Sequence, residues 1–237
     1  MPNLEMQVNK MQVGLYTVTY GYKRALFGAQ EETFAANGLN PISPAQFGFL
    51  RAQPNNSPFL IYSETSADVF YDNRTDRIVI VPDGSISKQV GIANVVATHS
   101  HGQGYVVPQS QRELVYAMVD EMLRKGTAFT SKHGQTDIIA SEFGQTELTS
   151  KLFSDGRLGI KAQNYGDWLA QQGRSIQSIF FDNEGYAKSQ KGPYVDKLRV
   201  FGDVLGFLVN GLSSFLDYSD GAFGVRFEKT AEGGAKK

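Results

Sequence analysis

The stretch from Ala67 to Val81 leaves little conformational choice. Ala67 to Tyr71 and Arg77 to Val81 are rich in β-branched and aromatic residues, and Asp72-Asn73-Arg74-Thr75-Asp76 between them carries turn chemistry. Two strands joined by so short a connection pair antiparallel, because a parallel partner needs a much longer crossover. Pro82-Asp83-Gly84 ends the hairpin. A chain with this hairpin is committed to a sheet.

The remaining segments group around that sheet. Residues 12–20, 59–62, 136–141, 157–162 and 175–182 read as strands, as does Ala222 to Glu228. Lys23 to Asn37 reads as a helix stopped by Gly38, and Tyr165 to Gln172 as a short one. A longer helix is expected from Val195 to Leu216. Residues 39–58 hold Pro41, Pro44, Pro54 and Pro58 and read as a loop. The strongest helical pattern runs from Ser110 to Lys125, with Leu114, Val115, Met118, Val119, Met122 and Leu123 in one stripe. Ser110 and Glu113 have the spacing of a capping box, and Gly126 closes the helix. The expected fold class is α+β, a mixed or antiparallel sheet with flanking helices. Two units are expected: a core over residues 1–162 with an N-terminal strand and helix, and a helix-rich α/β extension over 163–237 ending in a mobile tail.

Composition narrows the function classes. With no cysteine, disulfides and thiolate metal sites are excluded, so any metal must rest on His, Asp and Glu. A net charge of −1, without Lys/Arg clusters interleaved with aromatics, gives no footprint for nucleic acid or an acidic membrane. The N-terminus lacks the basic start and apolar run of a signal peptide, so a cytoplasmic location is expected. The apolar stretch Val204 to Leu216 is broken by Gly206, Asn210 and Gly211 and is too short to span a bilayer.

The chemical signature is His99-Ser100-His101, which follows the apolar run Val95-Val96-Ala97. Two histidines separated by one residue in an extended segment point the same way and can share one metal. Glu113, in the first turn of the next helix, can reach back as a third ligand. Glu64 can accept a proton from a metal-bound water, with Glu31 or Glu32 competing for that role. Ser110 can donate to a developing oxyanion. Capping explains Ser110 and Glu113 equally well without metal. The other candidates read as structural: His133 as a turn residue, Asp120 as solvated, Trp168 and Tyr165 as packing, and Asp217 to Gly221 as a turn.

Glu64, a hairpin, His99-Ser100-His101 and Ser110-x-x-Glu113 together resemble the JAMM/MPN (JAB-type) metallopeptidases over residues 59–125. Glu113 stands where that family carries Asp. The resemblance implies zinc on His99, His101 and Glu113, Glu64 as the water-activating base and Ser110 as the oxyanion donor. The implied activity is zinc-dependent hydrolysis of peptide or isopeptide bonds, with a protein or peptide as substrate. The alternative is a non-catalytic structural or assembly subunit of a phage particle or other large homo-oligomer. That alternative rests on the 25 Gly, 16 Phe and 11 Tyr, which suit subunits that bury aromatics between copies. It implies self-assembly and places the chain in a virion.

Overall fold

The structure is a computed structural model that describes residues 5–25, 27–61, 63–91, 105–181, 185–200, 209–211 and 221–230. It is a mixed α+β fold built on one extended sheet. The strand expected over 12–20 is a hairpin, β1 (Val8–Val13) against β2 (Tyr16–Arg24). Gly14, at φ +55°, turns the chain between Val13 and its partner Tyr16. The first helix, α1 (Phe27–Ala36), ends before Gly38 at φ +64°, as the cap predicts.

The proline-rich segment is more ordered than its composition suggests. After the two-residue strand β3 (Asn40–Pro41), helix α2 runs Pro44–Arg51. Pro44 occupies the first helical turn, where no N–H is needed. Ser43 and Gln46 form a reciprocal capping box: the Gln46 N–H donates to Ser43 Oγ (3.2 Å), and the Ser43 N–H donates to Gln46 Oε1 (3.0 Å). At the other end Arg51 is buried over the Phe47 ring. Its Nε donates to the Phe59 carbonyl (2.7 Å), Nη2 to the Ile61 carbonyl (2.9 Å) and Nη1 to the Tyr165 hydroxyl (3.3 Å). No strand forms at the described part of 59–62; Ser57–Phe59 is a 3-10 turn, and the Phe59 and Ile61 carbonyls serve Arg51 instead of a ladder.

The hairpin expected over Ala67 to Val81 is β4 (Ser63–Asp72) with β5 (Arg77–Val81), paired from Asp68↔Val81 to Asp72↔Arg77. Its two faces serve two cores. Val69, Tyr71, Ile78 and Ile80 join the main cluster with Phe47, Phe59, Phe143 and Trp168. Phe70, Val79 and Val81 pack against Val115 and Val119 of the later helix over Arg112–Lys125. Full burial of each such side chain contributes about 2 kcal/mol.

Beyond β5 come α3 (Ser85–Val90), β6 (Tyr105–Val106) and α4 (Arg112–Lys125), which ends at Gly126 with φ +71°. The capping box expected at Ser110 is absent. A 3-10 turn over Gln109–Gln111 precedes α4, and neither start has a side-chain cap. There follow β7 (Phe129–Ser131), β8 (Gly134–Ile139), α5 (Glu147–Phe153), α6 (Ala162–Gln171) and β9 (Ile176–Phe181). Residues 157–162 form no strand: Asp155 and Ile160 make a single bridge around a tight loop, and Ala162 already starts α6. Tyr165 and Trp168 are buried and stacked on each other, as packing residues should be.

The largest departure concerns the helix expected over Val195–Leu216, of which 201–208 and 212–216 lie outside the described residues. After α7 (Tyr186–Ser189), β10 runs Tyr194–Val200 and β11 Val209–Gly211. β10 lies antiparallel to β4, and that non-local pairing overrides a locally helical apolar pattern. β12 (Gly221–Lys229) follows. The sheet order is β1-β2-β12-β4-β10-β11-β9-β8, so β4 lies between β12 and β10, two strands from beyond residue 162. No helix among the described residues is long and apolar enough to cross a membrane.

Candidate functional site

Asp68, Phe70 and Asp72 share one face of β4, by strand alternation. Lys197 stands directly opposite Asp68 on β10. Its ammonium donates to Asp68 Oδ1 (2.7 Å), Ser87 Oγ (2.6 Å) and the Ser66 carbonyl (3.3 Å). The Ser87 N–H donates to Asp68 Oδ2 (2.8 Å), and Ser87 Oγ reaches the Gly84 carbonyl (3.0 Å). The pair is sealed in, with side-chain exposures of 8% for Lys197 and 0% for Asp68. Glu31 of α1 lies near enough to feel it. Burial pushes the Glu31 carboxyl up, Lys197 and Lys88 pull it back in part, and Asp68 adds to the rise. This network anchors the start of α3 to the sheet. Gly84, at φ +67°, must be glycine, since a Cβ there would run into the Ser66 carbonyl oxygen.

Anchoring that turn shapes one wall of a cleft of about 670 Å³. Its opposite side is β3 with the first turn of α2, and its far end is the loop that follows α5. The volume is that of a small-molecule site. The hydroxyls on its lining are committed to neighbouring backbone or caps. Ser43 caps α2, Ser66 Oγ donates to the Pro82 carbonyl (3.4 Å), and Ser154 Oγ accepts from the Ala162 N–H (3.1 Å). The carboxylates are likewise engaged in their own loops. Asp83 Oδ1 accepts from the Ser85 N–H (3.1 Å) and hydroxyl (2.7 Å), and Asp155 Oδ1 from the N–H groups of Arg157 (2.9 Å) and Leu158 (3.4 Å). A lining so arranged can hold a ligand; none of these hydroxyls is paired with a general base.

Of the residues singled out from the sequence, none that the structure describes lines this cleft. His99, Ser100 and His101 fall outside the described residues. Glu64 is buried in β4, opposite Arg199 of β10 and Ala222 of β12. The Tyr22 hydroxyl on β2 registers Glu64's charge: burial raises its pKa, Arg24 lowers it and Glu64 raises it. Ser110 is exposed in the 3-10 turn, and Glu113 is exposed in the first turn of α4. His133 bends the chain between β7 and β8 against Asp76, and exposed Asp120 accepts two hydrogen bonds from Arg74. Among the described residues no group of three or more His, Asp or Glu is placed to hold a metal ion. The cleft leaves no signature in the sequence, since Lys88, Lys151 and Arg157 form no motif. The Ser43-x-x-Gln46 spacing, however, was a readable helix start.

No protein-family model and no curated protein matches the chain. One solved structure is similar to it along nearly its whole length: a Nanoarchaeota protein described as accommodating massive sequence variation by the C-type lectin fold. The likeness covers 96% of this chain and 99% of that one, at 13% identity and a TM-score of 0.53. The likeness is to a C-type lectin fold. At this identity it speaks of fold alone, but it corrects the JAMM/MPN expectation, whose resemblance covered only residues 59–125. A JAMM/MPN core, a zinc-dependent peptide or isopeptide hydrolase and the metalloprotease class are overturned by a whole-chain likeness to a different fold. The likeness equally gives no support to the phage or assembly subunit of the alternative.

Proposed function

We propose that this chain is a binding module that holds a small ligand in the cleft between α2, the β5–α3 turn and the α5–α6 loop. The cleft carries this reading: its volume is ligand-sized, and its wall groups are held in place by hydrogen bonds before any ligand arrives. The C-type lectin fold of the similar protein accommodates massive sequence variation. A frame of that kind suits recognition, because exposed positions can change while the buried sheet holds them in place. Here the sheet with its buried cores is such a frame.

The test is thermal-shift screening of the purified chain against nucleotides, sugars, sugar phosphates and amino acids, with hits confirmed by calorimetry. Asn40 is exposed on the cleft rim, so Asn40→Trp should fill the cleft without disturbing the core. The expected result is a ligand that raises the melting temperature of the wild type and not of Asn40→Trp. Hits that stabilise both proteins equally, or the absence of any hit, would sink the proposal.

A further inference from the structure

We infer that the cleft ligand is a small multivalent anion, a phosphorylated or similarly oxygen-rich molecule, and that Arg157 and Lys88 recognise it. This ligand class presupposes the binding role proposed above. Three cations line the cleft, Lys88, Lys151 and Arg157, against two carboxylates, Asp83 and Asp155. The two signs are used differently. Both carboxylates accept N–H or O–H donors from residues two or three further along the chain, which fixes them in their turns. The cations keep donors to spare.

Arg157 shows this most clearly. It sits in a loop closed by reciprocal backbone bonds, Asp155 N–H to the Ile160 carbonyl (3.0 Å) and Ile160 N–H to the Asp155 carbonyl (2.9 Å). The Arg157 N–H itself is held by Asp155 Oδ1. A rigid loop therefore presents a guanidinium whose side chain is 95% exposed and whose only ion-pair contact among the described residues is Asp155 Oδ1 at 3.8 Å. That distance is too long for a hydrogen bond, so its donors are available to a fork-shaped partner. Lys88 spends one donor on the Asp83 carbonyl (3.2 Å) and has two left. Lys151 is the most engaged, paired with Glu147 at 2.8 Å on its own helix. The positive end of α2 also faces the cleft, which adds to the field without defining a site. A neutral ligand offers the Arg157 guanidinium only uncharged acceptors; an oxygen-rich anion adds opposite charge and paired oxygens that match its fork.

Inorganic pyrophosphate is the probe, titrated by calorimetry into the full chain at low ionic strength, with maltotriose as a neutral comparison. Saturable pyrophosphate binding is expected. Reversal of one cleft charge, Arg157→Glu or Lys88→Glu, should weaken it by about tenfold or more. The same reversal at Lys229, exposed at the end of β12, should change it less than about twofold at moderate salt. Circular dichroism of each variant confirms that it is folded. Equal losses at Lys229 and Arg157, or no saturable pyrophosphate binding, overturn the anion inference. If maltotriose binds and Asn40→Trp abolishes it while pyrophosphate does not bind, the anion inference falls and the binding-module proposal stands.

Discussion

Asp68 and Asp72 lie on the same face of the same strand, and the chain neutralises them in opposite ways. Asp72 is answered locally. Arg74 donates to both its oxygens through Nε (3.0 Å) and Nη2 (2.9 Å), and Arg77 adds a bond at 3.2 Å. Arg74 also lies over the Tyr116 ring and reaches Asp120, so the turn is tied to α4. Asp68 is answered by Lys197, 129 residues further along, and by Ser87 across the β5–α3 turn. The arginines of the first cluster are each more than one-third exposed, whereas the second pair is buried. A half-exposed cluster can lose a member and let water in. A sealed pair that loses one partner strands the other charge, so the same kind of contact carries a much larger penalty for disruption.

The sharpest way to break this comparison is Lys197→Met, which strands Asp68. Urea unfolding should show a loss of about 3–5 kcal/mol, and Lys197→Met with Asp68→Leu should recover much of it. A single-variant loss below about 1 kcal/mol would make the buried pair no different from a surface one. Next in size is Gly84→Ala, which forces a Cβ against Ser66 at φ +67°. A loss of about 2–4 kcal/mol is expected in the same assay.

The turn cluster should respond less and through pH. Burial alone would push the Asp72 carboxyl up, but the bonds from Arg74 and then Arg77 outweigh it and hold it below the ordinary 3.8. A group depressed on folding stabilises above its unfolded pKa and loses that contribution as pH falls through the folded value. Asp72→Asn should therefore cost about 1–2 kcal/mol at pH 7. Its unfolding midpoint should also fall less steeply than the wild type's as pH drops below 3.8. Parallel curves would refute the local account. Smaller still, Ser43→Ala should cost about 1 kcal/mol by opening the α2 capping box. Ser110→Ala should stay within about 0.5 kcal/mol, since Ser110 caps nothing.

Where the sequence read correctly, the deciding interactions were short in range. The β4–β5 hairpin carries its own turn residues, α4 and α1 end at Gly126 and Gly38, and β12 is a β-rich run close to the expected bounds. The bonds that neutralise Asp72 come from within the same turn, from Arg74 and Arg77. Helix α2 has its start in Ser43 and Gln46, within a segment whose prolines read as a loop. The candidate site was not legible. Its cations come from α3, α5 and the loop after it, and no spacing links Lys88 to Arg157.

By itself, then, the sequence determined a sheet seeded by one hairpin, several helix ends and the exclusion of thiolate chemistry. The tertiary structure decided that residues 194–200 are a strand, that Lys197 faces Asp68, and that three distant segments enclose a cleft. Strand pairing is a property of two segments, and neither β4 nor β10 records the other's register. Turn and cap chemistry reaches only a few residues along the chain, so it could be read there; a site assembled across the sheet could not.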